Sequence, residues 1–177
     1  MTQLFNLIWD ICCLRRGPQD LPYSPPLLAA IAAASFVYQL VIAASRGMPF
    51  GEVLIGALFA LGLILTALHV ALAVRGLRSR FVQSATALLG CMLLFEVLRL
   101  PIELLMGTPP ATPAQITPLQ GLLTLLSLPL LGWNVVVYAH VLRHSLNVSF
   151  LTGMTLSLLW IVAIIALIAA VGAPPGT

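Results

Sequence analysis

From residue 27 onward the chain alternates long apolar stretches with short polar breaks. Five stretches stand out: Leu27–Ser45, Val53–Val74, Phe81–Met106, Leu119–Leu142 and Val148–Val171. A helix needs about 20 apolar residues to cross a hydrocarbon layer of about 30 Å. Each stretch is long enough, so the pattern predicts an all-α integral membrane protein, a bundle of five transmembrane helices over residues 27–171. The first stretch is the weakest, being rich in Ala and interrupted by Tyr38 and Gln39. Leaving it out gives a four-span alternative.

Ahead of these stretches the pattern changes. Residues 2–14, TQLFNLIWDICCL, are too short to span. At about 100° per residue, Leu4, Leu7, Ile8, Ile11, Cys12 and Leu14 share one arc, with Gln3, Asn6, Asp10 and Cys13 opposite. Residues 1–16 therefore read as a short amphipathic helix, with Trp9 at its edge. Two settings suit it equally: the membrane interface, or a dock against the protein's own spans. Residues 17–26, GPQDLPYSPP, hold four prolines and read as a stiff connector, because proline removes backbone donors and fixes φ. The tail at 172–177 is expected to be disordered.

Composition sharpens the class. Hydrophobic residues make up 60% of the chain and charged residues 7%, against roughly 25% charged in a soluble domain. Mean hydropathy is +1.08. The net charge of +3 comes from arginine alone, and its placement points to a membrane, not to nucleic acid, whose grooves call for a clustered basic patch. With five spans and the N-terminus inside, Arg15, Arg16, Arg75, Arg78, Arg80 and Arg143 lie inside and only Arg46 lies in an outer break. The uncharged GTPPATPAQITP is the long outer loop. That asymmetry obeys the positive-inside rule, whereas four spans would put Arg15, Arg16 and Arg46 together outside. The expected topology is N-terminus cytoplasmic and C-terminus outside. Lysine-free, Ala- and Leu-rich composition suggests a bacterial inner membrane. No cleaved signal peptide is evident, since Arg15 and Arg16 follow the apolar stretch. The three cysteines, two of them adjacent, do not form a complete disulfide framework.

Two groups of side chains could carry chemistry. Glu96, Arg99 and Glu103 are spaced i,i+3 and i,i+4 in the third stretch, so they share one helix face. An isolated charge at mid-membrane costs about 2.5–3.5 kcal/mol on insertion scales, so each needs a partner. The functional reading is an ion, proton or polar-substrate site. The structural reading, which is preferred, is an ion-pair network in which Arg99 serves both carboxylates and fixes the packing of the span. Gln39 and Glu52 fall toward the same side and could join. The second group is His69, His140 and His144. His140 and His144 are i,i+4, a spacing that can chelate a metal with His69 as third ligand. No carboxylate flanks them, and interfacial histidines bonded to backbone or headgroups explain them more simply.

Small residues at Gly56, Ala60 and Gly62, and the alanines at 29, 30 and 32–34, are expected to let helices approach closely within the molecule. No GxSxG, HExxH or P-loop occurs. No cofactor is indicated, and a non-enzymatic role is expected, with the lipid bilayer and other membrane proteins as partners and no nucleic acid.

The plan resembles the Yip family of small membrane proteins: a cytoplasmic N-terminal segment, a proline-bearing approach and five closely spaced spans. GWNVVVYAHVLRHSLNVSF, with Gly132 and Trp133 mid-span and then His140, Arg143 and His144, looks like that family's turn from the fourth to the fifth span. The resemblance covers residues 27–171. It implies a five-span fold. Eukaryotic members act in vesicle traffic with small GTPases through a longer cytosolic N-terminal region. This chain's is short, so the resemblance does not carry that role over.

Overall fold

The computed structural model describes the backbone of residues 2–107 and 116–172, with side chains from 3 through 163 outside the gap. The middle of the long loop and the tail at 173–177 fall outside the described residues. The described chain is all-helical: α1 Thr2–Cys12, α2 Pro25–Ser45, α3 Phe50–Val74, α4 Phe81–Met106, α5 Pro118–Leu146 and α6 Phe150–Gly172. Short 3-10 turns at Pro18–Asp20 and Arg78–Arg80 complete the described elements. Three helices, α2, α3 and α5, are long and apolar enough to cross a membrane.

Local chemistry sets the helix ends. At α2 the Ser24 hydroxyl accepts the Leu27 N–H at 3.3 Å, and Pro25 and Pro26 open the helix where their missing donors are not needed. The last two residues of the expected connector thus belong to α2. Thr117 and Gln120 form a reciprocal capping box at the start of α5. Gly47 (φ 66°) and Gly76 (φ 70°) end α2 and α3, and Asn147 (φ 54°) ends α5, each in the left-handed region. Leu14 does the same after α1 at φ 62°, a costlier choice for a residue with a Cβ. α5 stays helical through Pro129 and α4 through Pro101.

α4 is the centre. Every residue from Ser84 through Cys91 is buried, and α1, α2, α3 and α5 all pack against it. Short connections turn α2 into α3, α3 into α4 and α5 into α6, so consecutive helices run antiparallel. One end of the bundle, here the base, carries the N-terminal segment and the breaks after α3 and α5. The far end carries the break after α2 and the C-terminus of α4.

The amphipathic N-terminal helix is docked on the protein. Ile11 and Cys12 are fully enclosed and join a core with Leu72, Ala85, Cys91 and Val137. The membrane-interface setting therefore does not describe its apolar face, which meets α4 and α5. Phe5 and Trp9 remain exposed on its outer side. The segment beyond it is also anchored, with Gly17, Pro18 and Leu21 buried.

Close helix approach occurs elsewhere than at the small residues of α2 and α3. Gly56 and Gly62 have open space where a Cβ would stand, and Ala29, Ala30, Ala33 and Ala34 are exposed. The tight contact is between α5 and α6. A Cβ on Gly153 would stand 2.5 Å from the Ala139 carbonyl oxygen. On α4, a Cβ on Gly90 would stand 3.0 Å from Ile8 Cδ1 of α1.

Candidate functional site

At the far end, α2 and α4 bring together the charged group of the third stretch. Glu103 is the hub. Its carboxylate pairs with Arg99 at 3.4 Å along α4 and with Arg46, at the end of α2, at 3.6 Å. The helical spacing explains the first contact. The second depends on how α2 leans on α4. Glu96 is not paired with Arg99: its Oε1 accepts a long hydrogen bond from Gln39 Nε2 at 3.5 Å, and its backbone carbonyl accepts the Tyr38 hydroxyl at 2.6 Å. The expectation that Arg99 serves both carboxylates is thus met at Glu103 only. Gln39 does join the cluster, and Glu52 forms no ion pair among the described residues. Glu96 Oε2 is buried without a hydrogen-bond partner. Arg99 is 46% exposed, so it lies at the edge of the cluster.

The histidines separate. His69 lies on the exposed face of α3, its ring edge-on to Phe81 at 5.2 Å. His140 and His144 stand with ring centroids 4.6 Å apart, as their spacing on one helix requires. His140 Nε2 is 2.9 Å from the Arg16 carbonyl. A carbonyl only accepts, so the proton sits on Nε2. Among the described residues no group of three His, Cys, Asp or Glu is placed to hold a metal ion.

His140 belongs to a set of side chains that grip the N-terminal segment by its main chain. Trp133 Nε1 donates to the Cys12 carbonyl at 2.9 Å, and Gln83 Nε2 donates to the Leu21 carbonyl at 2.6 Å. Trp133 also packs edge-on against Trp9 and Phe95, with centroids 6.1 Å and 5.0 Å away. A short segment leaving a helix has carbonyls without helical donors, and here α4 and α5 supply them. The GW pair and His140 were noticeable in the sequence, but nothing there marked their partners.

Two cavities flank this core. A polar one of about 330 Å³ opens at the base, lined by Pro18 and Gln19, by Arg80, Gln83 and Ser84, and by His144, Ser145 and Asn147. An apolar one of about 260 Å³ lies between α3, α5 and α6, with Ile64, Leu68, Tyr138, Leu142 and Trp160 among its walls. Neither includes Arg99.

No protein-family model, curated protein or solved structure matches the chain.

Proposed function

We propose that this protein is a five-span membrane protein that works through protein and lipid contacts, as an organising or assembly factor and not as an enzyme. α2 to α6 hold 21, 25, 26, 29 and 23 residues. At about 1.5 Å per residue, even the shortest reaches about 30 Å, enough for a hydrocarbon core. The base gathers Arg15, Arg16, Arg75, Arg78, Arg80 and Arg143, which favours a cytoplasmic base in a bacterial inner membrane. Reporter fusions at Gly17, Gly47, Arg78, Thr112, Ser145 and Gly176 are expected to alternate sides, beginning inside. A Gly17 fusion reporting outside refutes this topology. We propose kinship with the Yip family on the plan of five closely spaced helices behind a proline-bearing N-terminal approach.

The observation that carries the organising role is the ion-pair chain Arg46–Glu103–Arg99. Its charges are used in joining α2 to α4, and Gln83, Trp133 and His140 are used in holding the N-terminal segment. A second reading, a small transporter or channel subunit, is favoured by one detail: the buried, unpartnered Oε2 of Glu96. Proteoliposomes separate the two. The organising role predicts no proton or ion flux above that of empty vesicles, and the same result for Glu96→Gln. A flux abolished by Glu96→Gln establishes the transporter reading instead.

A further inference from the structure

The polar cavity at the base lies where three parts of the chain meet. Its walls come from three places: Pro18 and Gln19 of the N-terminal segment, the start of α4, and the end of α5. Its volume of about 330 Å³ falls at the small end of the range for ligand sites, roughly 300–1,000 Å³. Two of its wall residues, Ser84 on α4 and Ser145 on α5, are each 1% exposed, and neither hydroxyl has a hydrogen-bond partner. A buried hydroxyl without a partner is uncommon in a folded protein and calls for a water, ion or ligand. A serine reaches a new partner by a single rotamer change.

The field at this place favours an anion. α4 begins here, and no side chain caps its N-terminus. The Phe81 N–H is already bonded to the Arg78 carbonyl of the preceding 3-10 turn, so it is the helix dipole and the next N–H groups that favour negative charge. Arg80 stands at that N-terminus and lines the cavity. The opposing, negative end of α5 is already answered: Arg80 donates to the His144 carbonyl at 3.3 Å, and Arg75 donates to the Asn147 carbonyl at 3.3 Å. Asp20, the nearby carboxylate, accepts the Gly17 N–H at 2.9 Å and keeps its negative charge, so the anion must be held by Arg80 and the hydroxyls against it. Gln83, by contrast, spends its amide N–H groups on the N-terminal segment and acts as wall.

We propose that this cavity binds a phosphate group, with Arg80, Ser84 and Ser145 as its donors and His144 at its rim. The group can belong to an anionic phospholipid headgroup or to a free phosphate compound. Only the lipid source rests on the membrane reading above; the phosphate site does not. Binding would join α4, α5 and the N-terminal segment, since all three contribute walls.

The test uses the full-length protein purified in a neutral detergent. Thermal unfolding is followed against inorganic phosphate, against a short-chain phosphatidylglycerol and, as controls for charge and ionic strength, against sulfate and chloride. Either phosphorus-containing probe is expected to raise the melting temperature in a saturable way, with neither control doing so. Saturation by phosphatidylglycerol alone assigns the site to a headgroup, and saturation by inorganic phosphate alone assigns it to a free phosphate compound. No saturable response to either overturns the proposal. Arg80→Gln is expected to weaken the apparent affinity at least tenfold. Because Arg80 also holds the end of α5, Ser84→Ala with Ser145→Ala is the cleaner variant. It removes two hydroxyls that bond nothing in the unliganded protein, so its unliganded melting temperature should be unchanged or higher, while affinity falls several-fold. Undiminished affinity in that double variant overturns the proposed donor set. Extraction of membranes with alkaline carbonate tests the membrane reading separately, since its failure leaves the phosphate titration interpretable.

Discussion

The indole nitrogen of Trp133 donates to the carbonyl of Cys12 at 2.9 Å, across a separation of 121 residues. This bond ties the end of α1 to the middle of α5. It also explains why a short amphipathic helix lies against the bundle: its trailing carbonyls have donors waiting there.

Trp133→Phe keeps an aromatic ring and removes the donor. The Cys12 carbonyl is then left unpaired in the core, at a cost of about 1–3 kcal/mol. The expected result is a lower melting temperature with faster proteolysis of residues 2–21. Unchanged melting and unchanged protection of the segment would sink this account of its anchoring.

Gly153→Ala should be among the most damaging single changes. The new Cβ meets the Ala139 carbonyl, a backbone atom that cannot swing aside. Overpacking of this kind costs about 1–3 kcal/mol. Gly56→Ala and Gly62→Ala face open space and should melt like the parent or slightly higher, since alanine favours helix. Equal melting of all three variants contradicts the tight α5–α6 contact.

Gly90→Ala presses on Ile8 from α4. Here the neighbour is the flexible end of a side chain, so shortening it should relieve the strain. The double variant Gly90→Ala with Ile8→Ala should be less destabilised than the sum of the single changes. Coupled sites show interaction energies of about 0.5–3 kcal/mol in such cycles. Additive single effects would mean that α1 does not sit on α4 at this point.

Glu103→Gln should cost more folded protein than Arg99→Ala. Glu103 answers two arginines from two helices, and Arg99 is half-exposed with a single partner. Exposed pairs contribute about 0–1 kcal/mol, so Arg99→Ala should fold nearly as well as the parent. Comparison of monodisperse yield and melting temperature decides it. A larger loss for Arg99→Ala would restore Arg99 as the centre of the cluster.

What the sequence alone determined was local. The apolar stretches become the helices within a few residues of their expected limits, because stretch length and the flanking Pro, Gly, Ser and Asn are properties of the nearby chain. The i,i+4 contact of Arg99 with Glu103, and that of His140 with His144, follow from helical periodicity in the same way. The tertiary structure decided the rest. It placed α1 against α4 and α5, where an amphipathic pattern serves equally well for lipid or protein. It chose the partners of Trp133, His140 and Gln83, which are main-chain carbonyls, and every residue carries one. It gave Glu103 to Arg46 and left Glu96 to Gln39, a choice made by how α2 leans on α4. It also made Gly153, and not Gly56 or Gly62, the point of closest approach, because a glycine matters for packing only where another backbone reaches it.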